Sequence, residues 1–135
     1  MNKEMRRTSV LSFMSFGFKY GIPSDVNFLF DVRFLRNPFY VPELKPLSGK
    51  DEPVKQYLSS FPEMDKFLDS CENFLRPVAH AFFDSERNVR VAFACTGGRH
   101  RSVFCAESMT ARFGNLFAVE VFHRDIDKYK GGESL

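Results

Sequence analysis

RVAFACTGGRHRSVFCAESMTARF, residues 90–113, decides the architecture. Arg90 to Cys95 is a short apolar run of strand length, and Thr96-Gly97-Gly98 breaks it. Ser102 to Phe113 then reads as a helix, and Gly114-Asn115 after it suits a left-handed cap. A strand passing through two glycines into a helix is the opening of a βαβ unit. Working outward, Phe117 to His123 reads as the strand that follows. Val10 to Phe18 and Asn27 to Phe34 read as two earlier ones. Between them and residue 90, Met64, Phe67, Leu68, Cys71, Phe74, Leu75, Val78, Ala79 and Phe82 form the apolar stripe of a long helix. Strands alternating with helices predict a mostly parallel central sheet, flanked by helices and joined by right-handed crossovers.

The remaining punctuation sets the boundaries. Pro38, Pro42, Pro46, Gly49 and Pro53 make residues 36–53 a long irregular loop. Asp51 is placed to cap a helix over 52–60, and Pro62 to start the next, with Pro77 predicting a kink or a join between two helices. Residues 1–9 read as a polar, basic arm, 10–128 as a single α/β domain and 129–135 as a polar tail. No repeat or low-complexity segment interrupts this order.

At 135 residues, 44% hydrophobic and 27% charged, the chain has the material for one core and hardly for two. Its formal net charge of +2 excludes a polybasic tail protein and a highly charged disordered chain. Seventeen Phe and four Tyr, with no Trp, supply more rings than a core of this size needs, leaving some for a partner surface. Three cysteines, Cys71, Cys95 and Cys105, cannot close a full disulfide framework, so a reducing, cytoplasmic setting is expected. Lys3, Arg6 and Arg7 before Val10–Phe18 loosely imitate a signal peptide. Gly17 and Lys19 interrupt the run, though, and no small-residue cleavage site follows. No segment approaches the ~20 apolar residues of a membrane span.

Ligands of parallel sheets collect beyond the carboxyl ends of the strands. There Cys95-Thr96-Gly97-Gly98-Arg99-His100-Arg101-Ser102 combines uncovered amides, a helix start and three basic side chains, a pattern that favours a phosphate. Lys19 and Arg33 arrive on neighbouring strand ends, Arg33 beside Asp31, and His123-Arg124-Asp125 completes the rim. A local basic patch of Lys19, Arg33, Arg99, Arg101 and Arg124 could also meet a nucleic-acid backbone. Cys95 and Arg101 satisfy Cys-x5-Arg followed by Ser, the spacing of a cysteine phosphatase loop. Ala94 stands where a His usually precedes the Cys, and only Asp31 or Asp125 could serve as acid. No metal spacing occurs among the three His, no Gly-x4-Gly-Lys-[Ser/Thr] loop is present, and no cofactor is expected.

Six ordered blocks carry a resemblance: Ser15-Phe-Gly-Phe-Lys-Tyr-Gly-Ile-Pro23, Phe30-Asp-Val-Arg-Phe-Leu35 with Asn37-Pro38, Pro42-Glu-Leu44, Gly49-Lys-Asp51, Cys95–Val103 and His123-Arg-Asp-Ile126. Together they resemble the C-terminal domain of the RapZ/YvcJ family from about Ser12 to Lys128. In that family the domain follows a P-loop nucleotide-binding domain. The resemblance implies a non-catalytic regulatory domain that senses an amino-sugar phosphate and binds a small RNA, presenting it to an endoribonuclease. It also implies a homo-oligomer away from membranes. Carried over, the phosphate would meet Thr96, Gly97, Gly98, His100 and Arg101 over Cys95, with Arg99, Ser102, Lys19 and Arg33 close by. RNA would meet Lys19, Arg99, Arg101, Arg124, Lys128 and Lys130. Phe39 stands where enteric members carry a ligand-contacting His, and the basic cluster after residue 127 is thinned to Lys128 and Lys130.

Overall fold

A computed structural model describes residues 9–130. Four strands form it: β1 (Leu11–Gly17), β2 (Phe28–Asp31), β3 (Val89–Cys95) and β4 (Val119–His123). They lie in the order β2-β3-β1-β4 and every pair is parallel. The sheet is fully parallel, where the alternation of elements predicts a mostly parallel one. The register brings Gly17 opposite Cys95, Asp31 opposite Ala94 and Ser15 opposite His123, so the carboxyl ends of all four strands converge.

Three helices complete the fold: α1 (Glu52–Ser59), α2 (Pro62–Asp84) and α3 (Arg101–Phe113). All three pack on one face, where Leu11, Phe13, Val89, Val91 and Phe93 join the helical residues in a single core. The opposite face holds Phe16, Ala92 and Ala94 with Met14, Phe18, Val26 and Leu29, and no residue of α1, α2 or α3 enters that cluster. The asymmetry has a cause in β3. Val89, Val91 and Phe93 point to the helices, whereas Ala92 and Ala94 leave room for the chain from β1 to β2. That connection has only a 3-10 turn (Phe18–Tyr20) and lays Phe18 and Val26 against the alanines.

Local expectations met mixed outcomes. α2 runs unbroken through Pro77 rather than dividing there, because Pro77 is exposed and the carbonyl it frees, on exposed Asn73, can meet water. Asp51 stands at the N-cap of α1, but its carboxylate accepts from Ser48 N–H (2.8 Å) instead of capping the helix. Gly114 keeps right-handed angles, so the expected left-handed cap is absent. β2 is four residues long and stops at Asp31; Val32 N–H makes the last bond to β3, on Ala94 O (2.8 Å), before the chain leaves the sheet. Residues 1–8 and 131–135, most of the expected arm and tail, lie outside the described residues, while Tyr129 packs its ring on Phe39.

Phenylalanine fills the layer between sheet and helices. Phe93 stacks on Phe13 (6.4 Å between centroids) and Phe30 (5.5 Å), and Phe67 of α2 meets it edge-on (6.2 Å). Its truncation would leave a cavity shared by two strands and a helix. Phe93→Ala is therefore expected to cost about 3–5 kcal/mol, read as a lowered urea midpoint at unchanged slope.

Candidate anion-binding site

The ends of β1 and β3 touch backbone to backbone. A Cβ on Gly17 would lie 2.4 Å from the carbonyl carbon of Gly97, and one on Gly98 would lie 2.5 Å from Gly17 N. Gly98 also holds φ at +72°, a conformation that penalises any side chain. Beneath this contact Asp125 is wholly buried and accepts from Gly17 N–H (2.8 Å). Burial opposes its ionisation, but the Arg124 hydrogen bond, the Gly17 amide and Lys128 together hold the carboxyl below its ordinary range. The Lys128 ammonium lies 2.6 Å from it.

From this anchor the loop to α3 turns one side of its backbone inward. Thr96 O accepts from Lys19 N–H, Arg99 O from Gly49 N–H and His100 O from Phe104 N–H. By contrast, no N–H from Gly97 to Arg101 donates to another described residue. Ser102 N–H is the first to be used, on Cys95 Sγ (3.4 Å), and the Cys95 thiol donates to Ser102 Oγ (3.1 Å). The carbonyl side of the loop is thus occupied, and its amide side is left free at the positive end of α3.

Arg101 lies at the same place. Only 4% of the residue is exposed, and Nη1 donates to the carbonyls of Arg33 (2.8 Å) and Leu35 (3.0 Å). Its Nε is buried with no partner, and among the described residues no carboxylate forms a salt bridge with it. Burial pulls the guanidinium below its ordinary value, opposed in part by Cys95, Asp31 and Tyr40. Asp31 is already taken by Arg33 (2.7 Å), whose hydrogen bond is the main cause holding that carboxyl below the usual range. Arg101 is therefore a buried cation lacking an anion, a costly arrangement in a closed protein.

Other residues of the sequence motif serve elsewhere. Arg99 donates to the carbonyls of Leu47 (3.0 Å), Pro46 (2.6 Å) and Ile126 (2.6 Å), tying the 46–47 turn to the segment after β4. The His100 ring is buried and its Nε2 meets Leu44 O (3.2 Å). Burial drives its pKa down to about 4 against the pull of the Leu47 and Leu44 carbonyls, so it carries no charge at neutral pH. Arg124 holds Asp125 and Gly21 O, and Lys128 holds Asp125. Lys19 and Lys130 are exposed, and Arg33 lies half-exposed over the Phe18 ring (4.1 Å). Neither acid that the sequence offered to Cys95 is available: Asp125 is enclosed by its cations and Asp31 is paired. Phosphatase chemistry gains no support from this arrangement.

Gly49 was not among the expected site residues, and His123, expected at the rim, has partners that the sequence did not specify. Gly49 lets the 44–51 turn press on the loop, since a Cβ there would stand 2.4 Å from His100 O. His123 bridges Ser15 Oγ (2.6 Å) and Glu107 (2.6 Å), locking the end of β4 to β1 and α3. The signals available were the Ser-Phe-Gly and His-Arg-Asp blocks, which mark positions but not which backbone atom each serves. Among the described residues, no group of three His, Cys, Asp or Glu could hold a metal and no helix is long and apolar enough to cross a membrane.

The model of the RapZ C-terminal domain matches residues 9–127, a span that includes every element just described. The chain belongs to this family. It is 51% identical over 121 residues to a nucleotide-binding protein of Aeromonas hydrophila, covering 88% of this chain and 42% of the relative. A nucleotide-binding protein of Bacillus cytotoxicus is 45% identical over 119 residues, 87% of this chain and 41% of its own length. One of Clostridium kluyveri is 44% identical over 135 residues, covering 98% and 46%. The chain therefore spans less than half the length of these relatives.

Two outcomes follow from the geometry of this family's loop. His100 titrates near 6.5 when unfolded and about 4 when folded. Between those values the unfolded chain holds more protons, so stability falls as pH drops from about 6.5 towards 4, by up to about 3 kcal/mol. Urea unfolding at pH 7, 6 and 5 should show this decline, and His100→Gln should flatten it. Gly98→Ala should destabilise the fold by about 2 kcal/mol, measured in the same way, because positive φ and the Gly17 contact both oppose a Cβ.

Proposed function

We propose that the chain is a non-catalytic regulatory domain that captures a phosphorylated small molecule on the amides of Gly97–Arg101. The observation that carries this reading is a consecutive run of N–H groups with no acceptor among the described residues, next to a buried guanidinium with no counter-ion. A phosphate dianion would accept from these amides and from Arg101 Nε, over the Cys95 floor. Its charge would be balanced by Arg101 and the start of α3. An amino-sugar phosphate, the ligand class the family resemblance implies, has a phosphate of this kind. The relatives are named nucleotide-binding proteins. Since this chain has no Gly-x4-Gly-Lys-[Ser/Thr] loop, we assign nucleotide hydrolysis to no part of it.

RNA contact is the secondary use of the same rim. Arg99, Arg124 and Lys128 already hold carbonyls or Asp125, leaving a polyanion fewer cations than the residue count suggests. A compact dianion, which needs one guanidinium and several amides, fits better.

Calorimetric titration with inorganic phosphate and with a hexose phosphate tests the site. The wild type should bind both, and Arg101→Gln should lower affinity ten- to a hundredfold, the effect of losing a charged hydrogen bond. Arg101→Lys, which keeps the charge but not the fork, should recover only part of it. Absence of binding, or equal binding by a folded Arg101→Gln variant, would overturn the assignment.

A further inference from the structure

Seventeen phenylalanines exceed what one core of this size needs, and several of them gather at one border of the domain. Phe34, Phe67, Phe30, Phe74, Phe28 and Phe82 form an unbroken row of rings, with neighbouring centroids 5.4 to 6.3 Å apart. The row is not enclosed. Phe34 is 61% exposed and Phe74 47%, and the other four are half-buried. Ser70, Pro77 and Ala81, at i−4, i+3 and i+7 from Phe74, are exposed, so the helix surface beside the rings is small and uncharged.

These rings run along β2, the end strand of the order β2-β3-β1-β4, and among the described residues no strand pairs with its outer side. Asn27 N–H donates to Arg90 O (2.8 Å), so by alternation Phe28 and Phe30 turn their N–H and C=O groups away from β3. An aromatic border beside a bare strand edge is an arrangement that folded proteins cover or avoid.

The charges at the two ends of the strand indicate the cover. Asp25-Val-Asn-Phe-Leu-Phe-Asp-Val-Arg33 begins with an acid whose side chain is 59% exposed and ends with an arginine at 50%. A strand related to its own copy by a two-fold axis runs antiparallel to it. Of the registers that join outward groups, the one centred on Leu29 sets Phe28 of each copy against Phe30 of the other and serves all four residues. That register also sets Asp25 of each copy against Arg33 of the other. The two faces agree with it. Asp25 pairs with Arg90 and Arg33 lies over Phe18, which puts both on the side of Leu29, away from the helices. Phe28 and Phe30 stand on the helix side with Phe74. Pairing thus joins unlike charges on one face and rings to rings on the other. Each charge keeps its partner within the chain, Arg90 or Asp31, and the exposed half of each side chain stays open to a second.

We propose that the β2 edge and the Phe74 ridge of α2 are the surface on which two copies of this chain pair, antiparallel and centred on Leu29, into one continuous sheet. The family resemblance implies self-association without indicating a surface; the ring row and the strand edge supply one. This surface shares no residue with the amides of Gly97–Arg101, so the inference does not rest on the anion-binding reading.

Sedimentation equilibrium of the chain from micromolar to submillimolar concentration tests this, and the wild type should interconvert reversibly between monomer and dimer. Phe74→Glu, which puts a charge into the ridge, should raise the dissociation constant at least about tenfold, with its urea midpoint checking that it is folded. Leu29→Cys tests the register separately. Its thiols would face each other in a non-hydrogen-bonded pair, where Cα atoms lie about 4.5 Å apart, and mild oxidation should give a disulfide-linked dimer. Wild type, whose three cysteines are buried, should give none. A chain that stays monomeric throughout would overturn the proposal and leave the edge to an extended segment of another protein. A dimer that Phe74→Glu does not weaken and Leu29→Cys does not link would put the contact on another face and overturn it equally.

Discussion

The site depends on the close approach of Gly17 to Gly98. Two strand ends meet there without side chains between them, and a single Cβ on either residue would collide with the other's backbone. That contact brings the β3–α3 loop down onto the end of β1, where Asp125 accepts from Gly17 N–H and fixes the distance. A carboxylate in that position would be costly alone. Arg124 and Lys128 make it affordable, and both are thereby drawn away from any external anion. A buried charge cluster thus builds the cradle without being part of it.

Once the loop is seated, its two faces acquire opposite roles. Lys19, Gly49 and Phe104 donate to its carbonyls, and Arg99 clamps the 46–47 turn behind it. Every such bond fixes a peptide plane, and each fixed plane aims its N–H away from the carbonyl side. Preorganisation therefore comes from the occupied face, and a ligand entering the free face pays little to order the loop. Neutral His100 belongs to the same backing. A charged imidazole could not sit in that buried position, which gives a basic-looking residue a purely architectural place.

Much of this was legible in the sequence. The apolar run to Cys95, the two glycines and the periodic stripe of α2 specify a parallel α/β domain, and they place the loop where ligands gather. Ala92 and Ala94 also carried information, for small residues on one side of a central strand mark where another segment crosses closely. Less legible was the direction of each side chain. Arg99, His100 and Arg101 are consecutive and basic, yet they diverge to three destinations because the chain is turning into a helix. Local sequence fixes their proximity, whereas long-range carbonyls, on Pro46, Leu44 and Leu35, fix where they point. Asp125 is a similar case: nothing in His-Arg-Asp says that it serves an amide more than a hundred residues away.

The division of cations bears on which of the two proposed kinds of anion the arrangement suits. A polymer backbone is held by several mobile cations spread along it, and its affinity scales with their number. Here Arg99, Arg124 and Lys128 are committed to the protein itself, and Arg33 is shared with Asp31 and the Phe18 ring. What is concentrated is different in kind: oriented amides and one desolvated guanidinium, converging where a helix begins. Such a field is strong at short range and weak a few ångströms away, so it rewards an anion that enters and is enclosed. The same sequence that looks like a basic patch therefore folds so that unused amides and one unpaired guanidinium come together where α3 begins, the arrangement that supports the proposed capture of a small dianion over that of a polymer.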